Sequence, residues 1–310
     1  MQNNHFLFIH IPKTAGTSFR VAAEEFYHKN NIFYDYTPGE KETSKSVIEM
    51  IYDEHDYYKL YKHILKQDNS FFTGHFFLNK YSPLYNTLNV VSFVRNPVEQ
   101  VLSHYNHYKN IHKYDKDFKS FIKEPRFRNV QTEFLRGKPI HLYGFLGLTE
   151  EYKVSIDMFN ALYGTDFKYK YVNEKRKNSL NIKDIDDNIL ELIVRLNGKD
   201  IELYEAVKKQ FKIRKELYEK GLPFTYGFIQ KRTENEISGI AFQKEIDKVV
   251  EIDIYTGNKY VDTVLAKNLR SGQRNIPRKG FIGFDYSYQG DENLGGELHA
   301  IIKKTGQEIV

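Results

Sequence analysis

The chain has 310 residues, 40% of them hydrophobic, with 46 Lys and Arg against 41 Asp and Glu and a net charge of +5. This length allows a sizeable core and about two domains, and the mild positive balance points to a small polyanion or an acidic glycan, not to nucleic acid. There is no cysteine, which excludes disulfides, thiol catalysis and zinc–cysteine sites.

No run approaches the roughly 18 consecutive apolar residues that a membrane-spanning helix needs. Residues 6–9 are apolar but have neither the basic flank nor the cleavage site of a signal peptide. The expectation is a soluble, cytoplasmic protein without an integral membrane segment. Peripheral membrane association and oligomeric state stay open.

In chain order, "FLFIHI" (residues 6–11) reads as a short buried strand. "TSFRVAAEEFYHKN" comes next, with Phe19, Ala22, Ala23 and Phe26 at helical spacing, so the first unit is strand, tight loop, helix. Residues 44–66 are expected to be helical, with Val47, Ile48, Ile51, Tyr58 and Leu65 on one face. "SFFTGHFF" (70–77) is a second strand and turn. "LNVVSFVRNP" (88–97) is a third, ending at an Asn-Pro turn signal. Helical patterns cover 98–110, 117–124, 128–136, 150–163, 186–196 and 199–220, and "FKYKYVNE" (167–174) is expected to be a strand. Strands alternating with helices predict a mostly parallel sheet covered on both faces, the α/β class. From about residue 233 the pattern turns β, in "EISGIAF", "KVVEIDIYTG", "KYVDTVLAK" and "GFIGFDYSY", with a hairpin signal in "YTGNKY". The expected organisation is an α/β domain over 1–225, a linker near 221–232 and a small all-β domain over 233–310.

"HIPKTAGTS" (10–18) joins the first strand to its helix. A helix N-terminus presents unpaired N–H groups and about half a positive charge, a natural anion site. Gly16 permits close backbone approach, Lys13 adds a full charge, and Thr14, Thr17 and Ser18 add hydroxyl donors. The order differs from the nucleotide triphosphatase loop, in which Lys follows the last Gly. An ordinary strand–helix turn with an exposed Lys is the plainer alternative. In "RNPVEQVLSHY" (95–105), Arg95 ends a strand and Ser103 lies eight residues on. A guanidinium fork and a hydroxyl can grip one phosphate together, although each residue alone is common on a surface helix.

Together these elements resemble the sulfotransferases that use 3′-phosphoadenosine-5′-phosphosulfate (PAPS). "HIPKTAGTS" is similar to the family's 5′-phosphosulfate loop and "RNPVEQVLSHY" to its 3′-phosphate motif. "TGHFF" and "FLGLTEEYKVSIDMF" are similar, in the same order, to blocks of the subgroup that contains the heparan/uronyl 2-O-sulfotransferases and their bacterial relatives. The resemblance spans roughly residues 5–215 and implies a P-loop-like parallel sheet flanked by helices. It implies that Lys13 contacts the sulfuryl group and the bridging oxygen. Thr14, Ala15, Gly16, Thr17 and Ser18 would hold the 5′-phosphate, and Arg95 and Ser103 the 3′-phosphate. His75 stands where the subgroup carries a catalytic histidine. The subgroup's second histidine, two residues earlier, is Thr73 here, and a structural turn histidine is the alternative for His75. No metal is implied. His104, His107 and His112 lie at helical spacings beside the Arg95 motif; a metal site would recruit carboxylates or further histidines with clear geometry, and His104 is read as shaping the cofactor pocket. Lys175, Arg176 and Lys177 in "VNEKRKN" would bind the 3′-phosphate or an acidic glycan, or form a solvated charge run. "RKGFIGF" (278–284) contains an Arg-Lys-Gly triplet that cytosolic sulfotransferases place on the 3′-phosphate. Here it falls in the β region and reads as the approach to a strand. A weaker resemblance links this region to β domains appended to bacterial glycosyl- and sulfotransferases.

The expected activity is in-line sulfuryl transfer from PAPS to a hydroxyl of a carbohydrate, in a polysaccharide or glycolipid glycan, with a histidine base. The rivals are a P-loop kinase using ATP and a catalytically dead glycan-binding protein on the same scaffold.

Overall fold

The computed structural model describes residues 5–170, 180–244, 247–271, 276–288 and 296–310. Its chain divides into two compact units. One holds residues up to Tyr85, Asn89–Lys138 and Tyr143–Phe211; the other holds Asn86–Leu88, Pro139–Leu142 and Lys212–Val310.

The first unit is built on a five-stranded parallel sheet of order β2-β3-β1-β4-β5. Its strands are β1 (His5–Ile9), β2 (Ile32–Asp35), β3 (Ser70–Gly74), β4 (Val90–Val94) and β5 (Phe145–Leu148). Phe6, Leu7, Phe8 and Ile9 are all fully buried. A continuous apolar run is what a central strand covered on both faces requires. β2 and β5 are absent from the sequence expectation. Each has only four residues, too few to declare a period.

The helices flanking the sheet are α1 (Gly16–Phe26), α2 (Lys45–Val47), α3 (Tyr57–Leu65), α4 (Pro97–Ile111), α5 (Phe118–Lys123), α6 (Val130–Leu135), α7 (Tyr152–Tyr163), α8 (Asp187–Leu196) and α9 (Gly198–Glu219). The single helix expected over 44–66 is broken. α2 runs into a π-helical turn, Ile48–Asp53, and His55 then adopts φ 56°. Asp56 restarts the helix by accepting a hydrogen bond from the Lys59 N–H at 2.9 Å, the work of a carboxylate N-cap. Residues 167–170 form no strand, and 171–174 lie outside the described residues.

An aromatic core fixes α1 against the sheet. Phe19 contacts Phe8, Phe93 and Phe159 at ring-centroid distances of 4.7, 5.1 and 5.1 Å. Such pairs add about 0.5–1.5 kcal/mol each beyond their buried area. The start of α1, and the loop before it, is thereby held in place.

The second unit carries two four-stranded sheets, β10-β11-β7-β6 and β13-β12-β8-β9. All their strand pairings are antiparallel. The strands are β6 (Tyr226–Arg232), β7 (Glu236–Phe242), β8 (Glu251–Thr256), β9 (Lys259–Leu265), β10 (Asn268–Leu269), β11 (Phe281–Ser287), β12 (Leu298–Ile302) and β13 (Glu308–Ile309). Ile237, Ile252, Ile254, Phe284, Leu298 and Ala300 form its fully buried core. The stretch read as a linker, 221–232, contains β6. β8 and β9 form the hairpin signalled by "YTGNKY", with Thr256 paired to Lys259. Among the described residues no helix is long and apolar enough to cross a membrane.

Candidate active site

β1 ends at Ile9 and the chain turns before α1 begins at Gly16. Lys13 and Ala15 stand in left-handed backbone, at φ 67° and 65°. For residues with a Cβ this costs on the order of 1–3 kcal/mol each. A left-handed Ala15 followed by a helical Gly16 makes a concave nest of N–H groups. α1 has no side-chain N-cap and no acidic residue in its first turn. The positive end of its dipole therefore has no acidic side chain of its own first turn to meet it.

The loop residues divide their roles. Thr14 is buried and donates its hydroxyl to the Ile11 carbonyl at 3.0 Å, bracing the loop from within. Ser18 is buried, Thr17 exposed and Lys13 half-buried. Gln100 of α4, itself buried, donates to the Pro12 carbonyl at 3.0 Å. The Arg95 guanidinium donates to the Lys13 carbonyl at 3.4 Å. The two sequence motifs, 82 residues apart, therefore meet.

Arg95 follows the carboxyl end of β4 and its backbone is clamped by Gln131. The Arg95 N–H donates to Gln131 Oε1 and the Arg95 carbonyl accepts from Gln131 Nε2, both at 2.9 Å. Gln131 is held in turn by the buried Asp200 carboxylate, which accepts its N–H at 3.1 Å. Burial pushes the Asp200 carboxyl up in pKa, against the hydrogen bonds it accepts from Thr132 and Gln131. The guanidinium also pairs with Glu99 at 3.2 Å, both side chains part-exposed. A pair of this kind is worth about 0–1 kcal/mol, so an incoming phosphate accepting two charged hydrogen bonds can displace it. Ser103 lies two turns along α4, partly buried. Lys175, Arg176 and Lys177 lie outside the described residues. A cleft of about 510 Å³ opens beside Arg95, lined among others by Thr149, Tyr152, Lys153 and Tyr169. The Tyr152 and Tyr169 rings stand 5.7 Å apart. Its volume suits a small-molecule ligand.

The second loop comes after β3. Gly74 pairs in register with Asp35 of β2, and a Cβ on Gly74 would land on the Asp35 carbonyl. The His75 N–H donates to that same carbonyl at 3.0 Å. The buried Asp35 carboxylate accepts from Lys80 Nζ, Tyr81 Oη and Tyr52 Oη, each at 2.7 Å. Burial alone would raise its pKa, but these donors together hold it below the usual carboxylate range. His75 is thus set on an anchored strand end.

The His75 ring has a defined tautomer. Its Nδ1 lies 2.7 Å from the His10 carbonyl. A carbonyl can only accept, so Nδ1 carries the proton and the neutral ring keeps its lone pair on Nε2. Burial of the ring lowers the His75 pKa; the bond to the His10 carbonyl partly opposes this, and the Arg20 charge adds to it. The residue as a whole is exposed, but its ring packs on His10 and Tyr36 at 4.6 and 4.9 Å, and the desolvation comes from there. A neutral Nε2 near pH 7 is what a general base requires. Beyond it, Phe134 of α6 stands 6.4 Å from His75 and 5.3 Å from Phe77. Phe77 is 47% exposed, with the Arg136 guanidinium 5.4 Å above its ring.

His104 is buried on α4, and its Nδ1 has no hydrogen-bond partner. Burial first, then the charges of His107, Lys13, His75 and His112, push its pKa down to about 3. Among the described residues no group of three or more His, Cys, Asp or Glu could hold a metal ion.

The geometry gathers Lys13, Arg95 and His75 with residues that sequence patterns do not single out: His10, Gln100, Gln131 and Asp35. Each is one polar residue in an apolar strand or on a helix. Only His10, the polar residue directly after a buried strand, gives a signal.

No family model and no curated protein matches the chain. Among solved structures it is similar to a sulfotransferase from Alicyclobacillus acidocaldarius, at 15% identity over 67% of this chain and 96% of that one, with a TM-score of 0.37. A likeness this distant has no bearing on the chemistry of the site.

Proposed function

We propose that the chain is a sulfotransferase that moves a sulfuryl group from PAPS to a carbohydrate hydroxyl. The observation that carries the reading is the meeting of the two motifs, with Arg95 bonded to the carbonyl of Lys13. One cation then stands beside an uncapped helix N-terminus and a second at its flank, an arrangement for a ligand with two separated anionic groups. The residues present fit that donor. The nest at Ala15–Gly16 offers N–H groups to a phosphate, Arg95 is held by a weak pair that a second phosphate can replace, and the cleft beside it has room for a nucleoside.

When bound, PAPS supplies an activated sulfuryl group. Lys13 and the first N–H groups of α1 meet the charge that grows on the leaving oxygen, and fixed donors of this kind are worth about 10²–10³ in rate each. Arg95 and Ser103 hold the 3′-phosphate. His75 Nε2 takes the proton of the acceptor hydroxyl, a contribution of about 10²–10⁴. Phe77 and Phe134 offer ring faces to a sugar beside that base, and Arg136 suits an acidic substituent on it.

Transfer of radiolabelled sulfate from PAPS to a panel of glycans tests this, with Lys13→Ala and His75→Ala as controls. Transfer by the wild type and its loss in both variants support the assignment; full activity in both variants overturns it. Calorimetry separates the rivals. Binding of 3′-phosphoadenosine-5′-phosphate and not of ATP supports the sulfotransferase, and the reverse favours a kinase. Glycan binding without turnover across the panel identifies a glycan-binding protein.

A further inference from the structure

His10 lies inside the first motif, yet neither Lys13 nor the helix N-terminus explains why a buried strand should be followed by a buried imidazole. The residue is 6% exposed. Its Nδ1 is 2.8 Å from Tyr36 Oη. Tyr36 Oη is also approached by the Arg20 guanidinium, at 3.4 Å. A guanidinium can only donate. The Tyr36 oxygen is therefore an acceptor toward Arg20, and its own proton is available to His10 Nδ1. Donation by Tyr36 to Nδ1 places the proton of neutral His10 on Nε2.

The opposite edge of the ring meets α1. A Cβ built on Gly16 would lie 2.9 Å from His10 Cγ and nearer still to Cδ2 and Nε2. The Cδ2–Nε2 edge thus lies against Gly16, the first residue of the helix. No hydrogen-bond partner for Nε2 is present among the described residues. An imidazole N–H without an acceptor is open to one, and an anionic oxygen in the nest would supply it.

We propose that His10 is a third element of the anion site, donating its Nε2–H to an oxygen of the phosphosulfate held at the start of α1. Arg20 and Tyr36 are positioning residues that set its tautomer. His10 and His75, with rings 4.6 Å apart, then hold opposite tautomers. One presents a proton to the donor's oxygens, and the other presents a lone pair to the acceptor's hydroxyl. The His10 carbonyl fixes the second tautomer, so one residue serves both. Burial, then the charges of His75, Arg20 and Lys13, keep the His10 ring uncharged.

The identity of the anion rests on the sulfotransferase reading; the donor role does not, so the two are tested separately. Imidazole ¹⁵N–¹H spectra of the wild type report the tautomer directly. The Nε2-protonated form, with a shift of that signal on titration with inorganic pyrophosphate, supports the proposal. An Nδ1-protonated His10, or a signal indifferent to pyrophosphate, overturns it. His10→Leu should weaken pyrophosphate binding at least tenfold, with His10→Gln restoring most of it because its amide is again a donor. Equal affinity in wild type and His10→Leu also overturns the role. Tyr36→Phe keeps the ring packing and removes the relay. It should move His10 toward the Nδ1–H tautomer and weaken pyrophosphate several-fold, and an unchanged tautomer removes the relay from the account. If the wild type fails to bind 3′-phosphoadenosine-5′-phosphate while pyrophosphate still moves the His10 signal, the sulfotransferase reading falls and the donor role stands.

Discussion

Two short basic loops share a backbone oddity and differ in the element that each one feeds. In "HIPKTAGTS", Lys13 and Ala15 are left-handed; in "IPRKGF", Arg278 and Lys279 are, at φ 56° and 52°. The second loop closes on itself. Arg278 donates Nε to the Phe281 carbonyl at 3.0 Å and Nη1 to the Asp247 carbonyl at 2.8 Å. The chain then enters β11, whose N–H groups alternate in direction along the strand. The first loop enters an eleven-residue helix without a cap, where consecutive N–H groups point the same way. Basic residues and strained backbone are common to both. Convergent donors come only from the helix.

Lys13→Ala and Lys279→Ala separate the two loops most widely. Transfer should fall by about 10²–10³ in the first and change less than about twofold in the second. Equal losses, read as kcat/KM, would mean that basic charge alone matters. Arg95→Ala should weaken 3′-phosphoadenosine-5′-phosphate by about 10–100-fold, the range of a lost charged hydrogen bond of about 1.5–3 kcal/mol. Arg278→Ala should leave that affinity unchanged and act on stability alone, measured by calorimetry and thermal melts. Gly16→Ala should cost about tenfold or more in the same affinity, because the added methyl displaces the His10 ring. Wild-type affinity in a folded Gly16→Ala protein would show that the close approach is incidental. The smallest effect is in pH. In the proposed role His75 acts neutral, and its pKa lies below the ordinary 6.5, so kcat/KM should rise with pH along a limb centred below 6.5 and level off above it. A limb centred above 6.5 would deny His75 the role of base.

Periodicity and turn chemistry make the frame legible. The apolar run of β1, the Phe19–Ala22–Ala23 face of α1, the Asn-Pro stop after β4 and the hairpin at "YTGNKY" all form as the pattern demands. β2, β5 and β6 escape notice: two are four residues long, and Tyr226–Arg232 sits among turn-forming residues. Arg95 and His75 are visible because each follows a strand end, and Lys13 because it stands in the loop after β1, all within distinctive strings. The groups that aim them are not. Gln131 reaches Arg95 across 36 positions and Asp200 reaches Gln131 across 69. Side-chain bonds of that span leave no local period to read.

The central place of β1 has a consequence for synthesis. Its register partners are Ser70–Gly74 on one side and Val90–Ser92 on the other. Until those residues emerge, the Phe-Leu-Phe-Ile run has no sheet to join. At roughly 5–20 residues per second the wait is on the order of several seconds. During that interval one of the most buried segments of the finished protein is an exposed, strand-prone stretch of the nascent chain, the kind of segment that chaperones cover.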